Sequence, residues 1–140
     1  MIRKIFRNTR KLKFVSKSLY GSQMDWNNKG IGEVSVLNMN DEFYFFETIT
    51  LDNGIKLNDK KMWKIKDDGI QIEFYHFRNK KYENKFNFIL EKGIYVMKKK
   101  YECPPDNYFA KIVVIENNIY FIIKIKGIRK NEEIEYIYSE

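Results

Sequence analysis

The sequence predicts an all-β protein: one up-and-down antiparallel β-barrel of about eight to ten strands, with at most one short helix at its start. Three observations carry that prediction. The apolar residues are skewed toward types that fit a pleated sheet, with 19 Ile, 11 Phe and 10 Tyr against a single alanine, Ala110. A helical protein would draw far more on alanine. Turn-forming residues recur about every eight to twelve positions, the spacing of an antiparallel barrel or sandwich. Between them the side chains alternate: Ile70, Ile72, Phe74 and His76 fall on one face of a strand, and Gln71, Glu73, Tyr75 and Phe77 on the other.

The elements follow in order. Residues 2–11 show weak helical spacing through Ile2, Ile5 and Phe6, so residues 1–11 are assigned as a basic N-terminal arm or short helix and 12–140 as the barrel. Two weaker strands, 12–19 and 31–37, flank the Tyr20-Gly21-Ser22 turn. Clearer strands cover 42–48, 55–66, 70–77, 82–90, 94–101, 108–115, 119–126 and 132–138. Their connections are Asn38–Asp41, Asp52-Asn53-Gly54, Asp67-Asp68-Gly69, Arg78-Asn79-Lys80, Glu91-Lys92-Gly93, Pro104-Pro105-Asp106, Glu116-Asn117-Asn118 and Gly127. In the last strand Ile134, Tyr136 and Tyr138 oppose Glu133, Glu135 and Ile137. A meander with short connections hides its edges by closing on itself, whereas a sandwich usually needs a long crossing connection.

At 140 residues the chain is one domain. Its 26 Lys and Arg against 19 Asp and Glu leave +7, but seven of those cations fall in residues 1–17, which hold no acid. The remainder is balanced at 19 against 19. The basicity therefore belongs to the N-terminal stretch, and a general nucleic-acid reading loses its main support. The single cysteine, Cys103, cannot make an internal disulfide, and no Cys/His cluster suits a structural zinc. No apolar run approaches a membrane span, and no secretory signal pattern is present. A reduced, cytoplasmic setting is expected, although an acid-free, arginine-bearing start also matches an organelle presequence.

The most irregular stretch is Tyr101-Glu102-Cys103-Pro104-Pro105-Asp106-Asn107-Tyr108, where two prolines must interrupt pairing. It reads either as a corner loop with a buried cysteine or as a barrel mouth where Cys103 and Tyr108 meet a ligand. Cys103 has no adjacent basic group to stabilise a thiolate, and Glu102 opposes one. No phosphate-binding glycine loop, H-E-x-x-H or G-x-S-x-G occurs.

The run Cys103-x-x-Asp106-x-Tyr108, followed by Gly127-Ile128-Arg129-Lys130, resembles an uncharacterised family, domain of unknown function 6314, with C-x-x-D-x-Y and G-P-R-K signatures. Gly30-Ile31-Gly32-Glu33-Val34, Phe43-Tyr44-Phe45-Phe46-Glu47, Met62-Trp63-Lys64-Ile65 and Ile72-Glu73-Phe74 fall in that family's order, so the resemblance spans about 12–138. It implies a lipocalin-like (calycin) barrel. Three departures stand out: Tyr101 replaces a histidine two before the cysteine, Tyr82-Glu83 replaces an F-H pair, and Ile128 replaces the proline. Roles resting on those histidines are not carried over. By resemblance to calycins, Arg129 could stack on Trp26 or Trp63; alternatively it anchors a ligand carboxylate.

The expected function is binding of a small, largely apolar or amphipathic ligand in the barrel, with Arg129, Tyr108, Glu47, Cys103, Asp106, His76 and Trp63 as candidate contacts and no catalytic or metal-ligating set. One alternative is an enzyme using the same cavity through Cys103, Tyr108 and Asp106. Another is nucleic-acid or anionic-surface binding through residues 3–17, helped by the basic and aromatic stretches 60–64 and 95–101. No cofactor is expected; the alternative there is haem bound axially by His76, the single histidine. The oligomeric state is left open.

Overall fold

Residues 1–140 fold, in a computed structural model that describes all but residues 100 and 104 and gives 101–103 by backbone alone, into one helix and a string of strands. In chain order these are α1 (Ile2–Arg7), β1 (Lys11–Ser18), β2 (Asn28–Met39), β3 (Glu42–Leu51), β4 (Lys56–Lys66), β5 (Gln71–Arg78), β6 (Lys81–Glu91), β7 (Ile94–Met97), β8 (Tyr101–Cys103), β9 (Asp106–Ile115), β10 (Asn118–Lys126) and β11 (Asn131–Ser139).

Successive strands from β1 to β7 pair antiparallel, β7 pairs with β9, and β9 continues through β10 to β11. The last strand returns to the first in register from Lys11↔Ser139 to Ser18↔Glu132. That pairing closes a ten-strand up-and-down barrel, so no long edge is left to recruit another chain. Two-residue hairpins make the closure local. Asn79 and Lys80 have φ of 53° and 64°, and Glu116 and Asn117 of 50° and 67°, the left-handed pairs whose twist matches that of the strands they join.

Two expectations are corrected in detail. The strand expected over 94–101 is split: Ile94 opposes Val113 in β7, whereas Tyr101 opposes Tyr108 in β8, a shift of two in the register along β9. Ile70 does not continue the inward face of β5; it sits in the turn that follows 67–69 and is 45% exposed.

One end of the barrel is plugged. The helix is only six residues and is held by packing rather than by intrinsic propensity. It buries Ile5 and Phe6, and the Phe6 ring lies 5.3 Å from Trp63, 5.8 Å from Phe45 and 5.9 Å from Phe43. Trp63 continues the packing to Phe74 at 4.6 Å and Phe121 at 4.9 Å. Burying each such ring contributes roughly 1.5–3 kcal/mol. Trp63 Nε1 is the one buried side-chain polar atom without a partner among the described residues.

β2 crosses close to β3, and two of its glycines permit it. A Cβ on Gly32 would stand 2.5 Å from the Thr48 carbonyl oxygen, and one on Gly30 2.8 Å from that of Thr50. The requirement here is space, not an unusual φ.

Candidate functional site

The inward faces of the strands change character halfway along the barrel. In β3 the inward positions run Phe43, Phe45, Glu47, Ile49 and Leu51, so a carboxylate interrupts an otherwise apolar row. In β4, Ile65 and Trp63 put Lys61 and Asp59 on the same face, and in β5, Ile72 and Phe74 are followed by His76. Period-two geometry thus gathers four polar side chains, Glu47, Asp59, Lys61 and His76, at one level of the interior.

They form a continuous chain of contacts. Tyr138 donates its hydroxyl to Glu47 Oε2 at 2.6 Å, and Lys61 Nζ lies 2.5 Å from Glu47 Oε1. The same ammonium is 3.3 Å from Asp59 Oδ2. His76 Nε2 meets Asp59 at 2.8 and 3.0 Å, and Arg78 Nη1 reaches Asp59 Oδ1 at 3.3 Å. A carboxylate only accepts, so His76 Nε2 carries the hydrogen. The Lys61 ammonium also stands 3.7 Å from the centre of the Tyr136 ring.

Lys61 and Glu47 have side-chain exposures of 1% and 0%, so their ionisation is decided inside the barrel. Burial disfavours the Lys61 ammonium, but Glu47, Tyr136 and Asp59 outweigh it and raise its proton affinity. Burial likewise pushes Glu47 up, against the Lys61 ammonium and the Tyr138 hydroxyl, which favour the carboxylate. Both Glu47 oxygens accept from donors, so the ionised pair is the form that fits this geometry. Burial also pushes Asp59 up, but hydrogen bonding to His76 and the charges of Lys61, His76 and Arg78 hold it well below the usual carboxylate range. Tyr138 stays a neutral donor because burial and the Glu47 charge lift its phenol well above its ordinary value.

Beyond this layer, at the end opposite α1, the interior opens. A cavity of about 360 Å³ is bordered by Lys61, His76, Arg78 and Lys85 on one side and by Phe86, Ile123, Ile125 and Ile134 among its apolar lining. Tyr108 and Trp26 also border it. The 19–27 segment that carries Trp26 is anchored by Glu132, 1% exposed, which accepts from Ser18 Oγ at 2.5 Å and from Ser22 Oγ. Ser18 Oγ in turn accepts from the Trp26 amide at 2.9 Å, and Lys130 Nζ sits 5.3 Å from the Trp26 ring centre.

At the rim the two sequence motifs meet. Asp106 and Lys130 form an ion pair at 3.1 Å, and Gly127 packs so closely on Asp106 that a Cβ there would overlap its carboxylate. These are the matching positions of the C-x-x-D-x-Y and G-x-R-K stretches, and a sequence model for a family of unknown function, DUF6314, matches residues 14–140. The chain belongs to the DUF6314 family. No curated protein matches it.

In this DUF6314 protein the candidate residues scatter by role. His76 and Tyr108 border the cavity, and Glu47 supports it from behind Lys61. Trp63 lies in the plugged half against Phe6 and does not border the cavity. Asp106 is tied to Lys130 at the rim, and Arg129 is exposed in the β10–β11 connection, its carbonyl accepting from the Gln23 amide at 2.8 Å. The position over Trp26 is taken by Lys130, not Arg129. The Cys103 side chain lies outside the described residues. His76 turns Nε2 to Asp59, so that nitrogen is already engaged.

The three arginines of the basic N-terminal stretch are bonded into the fold. Arg3 pairs with Asp41 at 3.1 Å and lies 3.7 Å from Asp68, Arg7 donates to Asn38, and Arg10 donates to the Arg7 and Thr9 carbonyls. Lys11, Lys13 and Lys17 remain on the exposed face of β1.

The sequence reading missed Lys61, Asp59, Arg78, Lys85 and Glu132. For Lys61 and Asp59 the signal was present: once Trp63 and Ile65 point inward, alternation places both with them. The basic neighbourhood Lys60-Lys61-Met62-Trp63-Lys64 masked it as a solvated face. Among the described residues no helix is long and apolar enough to cross a membrane.

Proposed function

We propose that this DUF6314 barrel is a lipocalin-like binding protein of the cytoplasm that holds one small amphipathic molecule in its open half. The supporting observation is the cavity of about 360 Å³, lined by both apolar and basic side chains, above a packed and charge-paired floor. Its size falls in the range of small-molecule sites, roughly 300–1,000 Å³, and such sites combine apolar walls with a few placed polar groups. The reading needs no cofactor. A barrel filled along its whole length would have opposed it; here the filled part is the half around Phe6, Phe45 and Trp63.

The test is native mass spectrometry of the protein purified from its own host. The expected result is a stoichiometric added mass that disappears on denaturation, and that is lost when Ile123→Trp fills the cavity. Only the polypeptide mass, in both proteins, overturns the reading.

A second reading, an enzyme in the same cavity, draws on one observation: His76 on the wall is oriented by Asp59 at 2.8 Å, the arrangement of a histidine base with its orienting carboxylate. Turnover of the bound molecule, abolished by His76→Gln with binding retained, would favour it.

A further inference from the structure

The wall of the cavity carries charge of one sign. Its ionisable side chains other than tyrosine are Lys61, His76, Arg78 and Lys85, and no carboxylate borders it among the described residues. The acids that balance these bases stand behind them. Glu47 faces Lys61 from the core side, and Asp59 is shared by Lys61, His76 and Arg78. In that cluster Lys61 and Arg78 balance the two carboxylates, but the basic groups border the opening and the carboxylates stand behind them, so the opening meets the positive side of each pair. Lys85, on the same wall, is 3.6 Å from Glu83.

We infer that the ligand of this cavity is an amphipathic oxyanion, its charged end against Arg78, Lys85 and His76 and its apolar body against Ile123, Ile125 and Ile134. The inference rests on the proposed binding function and names the class of molecule bound. Its physical basis is the cost of the alternatives. A cationic ligand would set like charges together in a partly desolvated space. A neutral one would displace the water that solvates these bases and return only weaker, uncharged hydrogen bonds. An oxyanion replaces that water with charge-assisted hydrogen bonds.

The side chains divide the task. Lys61 is fully withdrawn and fixed by Glu47, so it contributes field rather than reach. Arg78 is 52% exposed at the mouth and presents a planar guanidinium able to bind two oxygens of a carboxylate or phosphate at once. The isoleucines of β10 and β11 lie across the cavity from these bases' strands, so a ligand satisfying both walls has its charge at one end only.

The experiment is isothermal titration calorimetry of the full chain with decanoate, decyl phosphate, decanol and decylammonium, matched in their apolar body. The oxyanions are expected to bind at least about tenfold more tightly than decanol, with decylammonium weakest. Whichever oxyanion leads identifies carboxylate or phosphate as the head group. In the Arg78→Gln, Lys85→Gln double variant, oxyanion affinity should fall about tenfold or more while decanol affinity is unchanged. Decanol matching the oxyanions, or decylammonium exceeding them, overturns the inference and leaves the cavity reading intact. Absence of binding by all four probes overturns both. The ligand comparison on the unmodified chain stands even where the double variant does not fold.

Discussion

Lys61 Nζ and Glu47 Oε1 lie 2.5 Å apart inside the barrel, with side-chain exposures of 1% and 0%. Neither group has water to fall back on, so each depends on the other. Removing one partner strands a buried charge, which costs far more than the net worth of the pair. Glu47→Gln and Lys61→Met are each expected to lose about 3–5 kcal/mol in urea unfolding. The double variant Glu47→Leu with Lys61→Met should lose less than the sum of its two single changes. Additive losses would show that the two residues do not act as a pair.

The helix plug should matter as much as any strand. Phe6 is fully buried against Phe43, Phe45 and Trp63, so Phe6→Ala is expected to cost about 3–5 kcal/mol. A change under 1 kcal/mol in chemical denaturation would mean that the helix is dispensable.

Close backbone approach makes a separate prediction. A Cβ on Gly32 meets the Thr48 carbonyl oxygen at 2.5 Å, and a backbone carbonyl cannot rotate aside. Gly32→Ala should therefore destabilise by about 1–3 kcal/mol, whereas the exposed Ser35→Ala on the same strand should be near neutral.

Gly127 differs because its neighbour is a side chain. Gly127→Ala is expected to push Asp106 away from Lys130 and forfeit that ion pair, worth up to about 1 kcal/mol. In an Asp106→Ala background the same substitution should cost nothing further, a coupling readable by thermal melting of the four-protein cycle.

The acid limb of stability should carry the signature of Asp59. Its carboxyl is held well below the ordinary 3.8, so the unfolded chain takes up its proton first as pH falls. Stability from this group is complete above about pH 5 and is lost as pH drops through 3.8 toward the lower folded value. Asp59→Asn should flatten that part of the curve. At the alkaline end the sign reverses in its effect: Tyr75 is raised to about 12 by burial and by its bond to Glu73, so the unfolded chain loses its proton first and stability falls as pH rises above 10. A Tm that stays constant from pH 10 to 12 would contradict this.

The strands were readable because alternation is a local property. Ile134, Tyr136 and Tyr138 point inward in β11 as their spacing requires, and the same rule set His76 beside Phe74. The hairpins were readable from Asn79 and Asn117, which accept the left-handed conformation the connections need. The site was readable only in part. His76 and Tyr108 were named and do border the cavity, whereas Arg129, chosen for its chemistry, is exposed in a loop. Lys61 looked like one of a run of solvated lysines, and nothing adjacent to it marks the carboxylate it meets.

What the sequence determined by itself was an antiparallel, alternating chain of barrel-forming strands whose excess positive charge sits at the start. The tertiary structure decided where that charge goes: the N-terminal arginines brace the plugged end, and the bases that face the opening belong to β4, β5 and β6. It also decided which half is solid and which is hollow. The reason is distance along the chain. Glu47 and Lys61 are 14 residues apart, and Tyr138 completes their contacts from 91 residues beyond Glu47. Local periodicity can turn each side chain inward, but only barrel closure sets the three at one level and leaves the space above them open.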